Sequence, residues 1–368
     1  MIYLDSGATS FPKPAGVLRA VDRAMRTCAN PGRGGYPAAE LASRTVFRCR
    51  ECAAALFDCR PEQVVLTGNC THGLNLAIGS LIKPGSTVAV SGFEHNAVLR
   101  PLYARDVRLR VCGRRLFDWE DMLEAFDSAL RAGVDGAVFT HVSNVFGYIL
   151  PVEKMAELCR ERGVPFIVDA AQSAGTLPVS LRKLGADFIA MPGHKGLLGP
   201  QGTGLLLCAG ETQPLLYGGT GSQSLRRTMP EELPERLEPG TVNVPGAAGL
   251  LAGMETVCRI GGETLARREH ILAQQCAREL EKAGMEVFQG DHQAGTVSFR
   301  GNFDCEEGAQ KLAGLGIAVR AGLHCAPLAH ESAGTVDTGT IRVSFGWNST
   351  GQDCRALLKA VHTLQKSS

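Results

Sequence analysis

Lys195 stands in the run Pro192-Gly193-His194-Lys195-Gly196, held between glycines and next to a histidine. Asp169 ends another short run, with Gln172 three residues beyond it. Each group follows an apolar stretch, 187–191 and 165–168, that reads as a buried parallel strand too short for a helix. In open α/β sheets the chemistry sits just beyond the carboxyl ends of the strands, so the amine and the carboxylate can reach one crevice. Pyridoxal phosphate needs such a pair. The lysine forms the Schiff base, and the carboxylate keeps the pyridinium nitrogen protonated so that the ring withdraws electrons. The competing reading is a surface lysine and a helix-capping aspartate, and two residues alone do not decide between them.

A phosphate needs a third feature, and residues 63–82 offer one. The strand-like 63–66, the segment Thr67-Gly68-Asn69-Cys70-Thr71-His72-Gly73 and the apolar helical stretch 74–82 make a strand–turn–helix unit. Such a unit aims backbone N–H groups and a positive dipole end at an anion. It is neither a Walker loop nor a dinucleotide fingerprint, and its glycines and threonines serve equally as turn and cap residues. His95, in Glu94-His95-Asn96 after the strand 87–91, reads as a ring stacked on a cofactor and able to move a proton, or as a structural histidine at a strand end. Asn144, in Ser143-Asn144-Val145-Phe146-Gly147, can bond a ring hydroxyl or a substrate carboxylate and equally suits a turn.

The stretch Arg320-Ala321-Gly322-Leu323-His324-Cys325-Ala326-Pro327 suits a thiolate nucleophile. Cationic neighbours lower a thiol's pKa, and a loop leaves it accessible. With thirteen cysteines in the chain, an inert thiol is the alternative. Arg342 lies in the β-pattern Thr340-Ile341-Arg342-Val343-Ser344-Phe345, where a guanidinium needs a partner: a substrate α-carboxylate gripped bidentately, or a structural salt bridge. Cys49-Arg50-Glu51-Cys52 is a lone CxxC. Structural zinc needs four ligands and no second pair matches it, so buried or inert thiols and no metal are expected.

The elements that must position these groups alternate. Helices are expected over 14–28, 38–57, 118–131 and 152–162, and strands over 87–91, 107–111, 136–140, 165–168, 187–191 and 204–208. The βα alternation predicts a mostly parallel sheet with helices on both faces. Residues 209–245 are loop-rich. Helices near 246–260 and 263–283 lead to a smaller α+β unit with strands near 285–289, 295–300 and 340–345 and helices near 305–314 and 351–365. The division expected is a large domain over 14–255, and a small one made of 1–13 with 256–368.

Composition bounds the rest. At 368 residues and 44% hydrophobic the chain can bury a sizeable core, and 38 basic against 37 acidic residues give no general reason to expect nucleic acid or an anionic membrane as partner. The N-terminal MIYLDSGATSFPKP lacks a basic segment followed by an apolar run, and nothing approaches the ~18 apolar residues of a membrane span. An odd, scattered set of cysteines does not resemble a disulfide framework. The expectation is a soluble, cytoplasmic protein.

Taken together these stretches resemble the cysteine desulfurase and selenocysteine lyase family, the class V branch of the fold-type I pyridoxal-phosphate enzymes. The likeness runs through Tyr3-Leu4-Asp5-Ser6-Gly7-Ala8-Thr9, Arg33-Gly34, Thr71-His72-Gly73, Glu94-His95-Asn96, Ser143-Asn144, Asp169-Ala170-Ala171-Gln172, Gly193-His194-Lys195, Pro239-Gly240-Thr241-Val242-Asn243, the 320–325 stretch and Arg342. It implies an α/β, fold-type I architecture with a large, mostly parallel seven-stranded-type sheet domain and a smaller α+β domain. Carried over residue by residue, it implies Lys195 as Schiff-base lysine and Cα base, Asp169 on the pyridinium, Gln172 on the ring hydroxyl and His95 stacked on the ring. Thr71, His72 and His194 would hold the phosphate, with Thr241 contributed across a homodimer interface. Asn144 and Arg342 would bind the amino-acid carboxylate, and Cys325 would accept the sulfur from L-cysteine, or act on L-selenocysteine, before transfer to an acceptor protein. The chain departs from the pattern at Pro192, where a small hydroxyl residue is common, and at His72, commonly acidic or amide. A class V aminotransferase or epimerase keeps the cofactor with other chemistry, and a non-enzymatic sulfur-relay scaffold would not need Lys195, Asp169 and the phosphate turn together.

Overall fold

The computed structural model describes every residue except Arg33, Ser367 and Ser368, and the Lys366 side chain; Arg33 of the Arg33-Gly34 motif thus lies outside the described residues. Along the chain, β1 (Ile2–Tyr3) precedes α1 (Ala15–Thr27) and α2 (Pro37–Phe57). Strands and helices then alternate: β2 (Val64–Thr67), α3 (Cys70–Leu81), β3 (Thr87–Ser91), α4 (Asn96–Tyr103), β4 (Arg108–Cys112), α5 (Trp119–Arg131), β5 (Gly136–Thr140), α6 (Val152–Arg162), β6 (Phe166–Asp169), α7 (Leu181–Leu184), β7 (Phe188–Pro192) and β8 (Gly204–Cys208). After a long loop come α8 (Val244–Ile260), α9 (Gly262–Lys282), β9 (Glu286–Phe288), β10 (Thr296–Arg300), α10 (Cys305–Gly314), β11 (Ile317–Ala318), β12 (Arg320–Gly322), α11 (Pro327–Ala333), β13 (Thr340–Ser344) and α12 (Gly351–Lys366).

The seven-stranded sheet has the order β2-β8-β7-β6-β5-β3-β4. Strands β4, β3, β5, β6 and β7 are mutually parallel, and β8 runs antiparallel to both its neighbours. Every residue of β5, β6, β7 and β8 is buried, which is why these stretches are continuously apolar rather than alternating. Fully buried Phe139, Phe166 and Phe188 each contribute about 1.5–3 kcal/mol of burial energy. A four-stranded antiparallel sheet, β12-β13-β10-β9, forms the second layer system, and β1 pairs in parallel with β11 beside it. The expected domain boundary at 255 falls inside the continuous helix α8.

Two stretches differ from expectation. Helix α3 starts at Cys70 rather than 74, because the Asn69 side chain accepts from His72 N at 2.9 Å and caps it there. Residues 96–103 form a helix that the sequence pattern leaves unassigned: Pro101 lies inside it, and His95 supplies the cap by accepting from Ala97 N at 2.9 Å.

The long loop 209–243 is pinned by a buried ion pair. Arg50 of α2 grips Glu238 with two nitrogens and also donates to Val64 O, while Glu238 accepts from Leu66 N. Both side chains are less than a tenth exposed, so removing one leaves an unpaired buried charge. Glu238→Ala is expected to lower stability by about 3–5 kcal/mol in chemical denaturation. A loss under ~1 kcal/mol would mean that the pair does not pin the loop.

Candidate active site

Because β3, β5, β6 and β7 run parallel, His95, Asn144, Asp169 and Lys195 all emerge at one edge of the sheet. The capped end of α3 reaches the same edge, since β2 ends opposite Gly204 and Gly204 lies opposite Pro192. Thr71, His95, Asn144, Asp169, Gln172, His194 and Lys195 therefore line one cavity, with Asn69 and Cys70. Seven of the residues expected at a site meet there. The Lys195 loop is packed to the limit: a Cβ on Gly193 would overlap Thr203 Oγ1, and one on Gly196 would overlap the Ala174 carbonyl.

Asp169 is buried, and its Oδ1 accepts from Ala171 N at 2.8 Å and from the Cys70 thiol at 3.4 Å. Its Oδ2 is left without a protein donor among the described residues. Burial lowers the pKa of the Lys195 amine and Asp169 opposes the shift, yet the two are not joined by an ion pair. The proton of neutral His95 sits on Nε2, because Nδ1 is taken by Ala97 N; burial lowers the pKa of this ring, again against Asp169. His194 is pushed down to about 4 by burial, then by Lys195 and Lys13, and bonds Thr9 Oγ1 through Nδ1. His72 is lowered by burial, and its Nδ1 accepts from Gly68 N at 3.3 Å. Burial thus favours the neutral ring at both histidines.

Sequence reasoning missed the residues that brace this cavity. The N-terminal arm stitches the small sheet to the lysine loop: Gly7 N donates to Ser344 Oγ, Gln172 donates to Gly7 O, and Ser10 N, Thr9 Oγ1, Ser10 Oγ and Lys13 Nζ all converge on the His194 carbonyl. Burial pushes Lys13 down to about 8. Glu94, fully buried, accepts from Ser91 and from Thr140 N and so ties the end of β3 to the end of β5; burial raises its carboxyl to about 8.

Four expected residues sit differently. Arg342 is not a free fork: Nη2 donates to Asp5 Oδ1 at 2.7 Å and Nη1 to the Asn144 carbonyl at 3.0 Å, with Nε buried and unpartnered among the described residues. Arg320 shares Asp5 from the other side. The Cys325 thiol does not lie between two cations, as the sequence suggested. His324 is buried, pushed down to about 3 chiefly by that burial and stacked on His330, which leaves Arg320, itself paired with Asp5, as the cation that still acts on the thiol. Cys325 itself is exposed. His72 and Thr241, both expected at the phosphate, line a separate cleft with Gly68, outside the Lys195 cavity.

The titrations give stability a maximum. His141, His194 and His330 are pushed to about 4 and His324 to about 3, each mainly by burial, against an ordinary 6.5. Between those values the unfolded chain binds more protons, so stability is present above 6.5 and is lost as pH falls. Glu94 and Glu269, raised by burial from 4.5 to about 8, act with the opposite sign: the folded chain holds the extra protons, and stability falls as pH rises toward 8. Four histidines outweigh two carboxyls on the acid side. The midpoint of thermal unfolding is therefore expected to peak near pH ~6.5, and Glu94→Gln to flatten the alkaline limb. A midpoint still rising from pH ~6.5 to 8 would contradict this.

Comparison with known proteins follows the same lines. The aminotransferase class-V family matches residues 2–357. A probable cysteine desulfurase of Methanothermobacter thermautotrophicus is 32% identical, the match spanning 97% of this chain and 92% of that protein. The apo structure of a cysteine desulfurase from Thermococcus onnurineus superposes with a TM-score of 0.93 at 31% identity, covering 100% of this chain and 95% of that one. The Escherichia coli cysteine desulfurase CsdA, in its S-sulfonic acid form, superposes at 0.86 with 25% identity, covering 100% of this chain and 95% of that one.

Proposed function

The chain belongs to the aminotransferase class-V family, and we infer that it is a pyridoxal-phosphate-dependent cysteine desulfurase. It converts L-cysteine to L-alanine and takes the sulfur on Cys325 for delivery to an acceptor protein. One observation carries the reading. Among the described residues, Lys195 is an amine free of any ion pair, and it shares a cavity with a carboxylate that has one oxygen free, Asp169, and with the N-terminal turn of α3.

That donor set fits the cofactor at each of its functional corners. Lys195 suits the aldehyde, Asp169 Oδ2 the ring nitrogen, Gln172 the ring hydroxyl and the His95 ring its face. The N–H groups of Cys70 and Thr71 have no partner within the helix and suit the phosphate, with the Thr71 hydroxyl, His72 and His194 beside them. When bound, the cofactor supplies an electron sink for the pair left behind as a substrate Cα proton departs.

The chain's own residues do the rest. Lys195 Nζ takes the Cα proton, and the burial that lowers its pKa favours the neutral amine it needs. Asn144 Nδ2 meets the α-carboxylate in this reading, and the Arg342 guanidinium joins it by exchanging its bond to Asp5 or to the Asn144 carbonyl. Cys325 Sγ bonds the substrate sulfur as the Cβ–S bond breaks; its electrons stay on the carbon that, once protonated, becomes the methyl of alanine. We take the enzyme to be a cytoplasmic homodimer in which Thr241 of one protomer completes the phosphate site of the other. All thirteen cysteines are free thiols, which suits a reducing compartment. No described helix is long and apolar enough to cross a membrane.

The test is product analysis. With pyridoxal phosphate, L-cysteine and a thiol reductant, the protein is expected to release alanine and sulfide in equal amounts. A keto acid in place of alanine would mean transamination, and turnover of L-selenocysteine alone would mean a lyase.

A further inference from the structure

The Cys325 loop is hung from the cavity by its main chain. Asn144 Nδ2 donates to the His324 carbonyl at 2.8 Å, and Asn96 N, in the first turn of α4, donates to the Cys325 carbonyl at 2.7 Å. Between these two anchors the backbone is strained: His324 and Cys325 have φ of 51° and 56°, two consecutive non-glycine residues in the left-handed region. Each costs free energy and persists only because its surroundings over-determine it. The ring of His324 adds little that is specific, with 3.5 Å between its Nδ1 and His330 Nε2 and 3.3 Å to the Arg320 carbonyl.

Asn144 itself is held firmly. Its turn is closed by Gly147 N on Ser143 O at 2.9 Å, its own carbonyl accepts from Arg342, and the next carbonyl, of Val145, accepts from Ser298 Oγ. Its side-chain Oδ1 is buried with no hydrogen-bond partner among the described residues, although the residue lines the Lys195 cavity. The Asn144 amide thus links the Lys195 cavity, which it lines, to the Cys325 loop, which it holds through the His324 carbonyl.

Resting on the desulfurase reading, we propose that Asn144 is a positioning residue that latches the Cys325 loop, and that the carboxylate of an amino-acid substrate releases the latch by taking Asn144 Nδ2 from His324. The amide nitrogen carries two N–H groups, so release requires the amide to rotate: a carboxylate is the stronger acceptor, and turning toward it swings Nδ2 off the His324 carbonyl. Once released, the strained pair relaxes and the thiol becomes mobile only when substrate is present to meet it. The device restricts an exposed thiol in the resting enzyme.

The test is site-resolved alkylation of the holoenzyme by iodoacetamide, read by peptide mass spectrometry, with L-alanine as a sulfur-free amino-acid probe. Cys258, the other exposed cysteine, is the internal control. In the wild type, alanine is expected to speed alkylation of Cys325 about five- to tenfold, the shift that loss of one hydrogen bond produces, and to leave Cys258 unchanged. Asn144→Ala is expected to be fast with or without alanine. Asn144→Asp, equal in size but without the donor, should behave the same and guards against a folding defect in the first variant. If Cys325 reacts at one rate in all three proteins there is no latch, and if the variants are fast but alanine leaves the wild type slow, a carboxylate does not release it. The comparison of variants without alanine needs no turnover, so it stands apart from the desulfurase reading, which fails separately if the wild type makes no alanine from L-cysteine.

Discussion

Lys195→Ala is expected to reduce alanine formation from L-cysteine by at least ~10³-fold and to leave the protein unable to retain cofactor colour through gel filtration. The reason is geometric. Lys195 supplies the cavity's unpaired amine, and the groups around it are already committed: His194 to Thr9, His95 Nδ1 to Ala97 N, and Lys13 to Ser10 and the His194 carbonyl. None can take its place. Stability of the apo protein should change little, because the variant removes a group whose burial already disfavours its charge. Lys195→Arg sharpens the result, since a guanidinium keeps the charge but cannot give up its proton at neutral pH. If the arginine variant kept more than a tenth of wild-type activity, Lys195 would not be the base.

Cys325→Ser separates sulfur capture from cofactor binding. The variant is expected to keep the cofactor, because Cys325 lines none of the Lys195 cavity, and to lose at least ~10²-fold in alanine formation from L-cysteine. Serine preserves size and the left-handed backbone, so the main-chain anchor to Asn96 N should survive and the loss reports the sulfur atom itself. The loss is expected to be smaller with L-selenocysteine, since selenium leaves more readily. Wild-type rates on L-cysteine in Cys325→Ser would move sulfur acceptance to another thiol or to solution.

The core of the site is legible in the sequence because its chemistry obeys local rules. Short apolar runs ending in Asp169 and Pro192 read as strands buried on both faces, and parallel strands bring their carboxyl ends to one edge. What escapes is either capped or distant. The start of α3 depends on Asn69 bonding three residues ahead, and α4 is masked by Pro101. Asp5 and Arg342 are separated by 337 residues, and Asn144 and His324 by 180, so no spacing along the chain announces them. The sequence therefore reads Arg342 as open to either partner and Cys325 as flanked by cations. The structure instead gives Arg342 the salt bridge to Asp5, and it buries His324 as a neutral ring.

A single turnover tests the central claim most directly. Holoenzyme mixed with less than one equivalent of L-cysteine, without reductant, is expected to yield one alanine per cysteine consumed. Peptide mass spectrometry should then find one added sulfur atom, carried on Cys325 and on none of the other cysteines. Pyruvate or another keto acid with Cys325 unmodified would contradict the account.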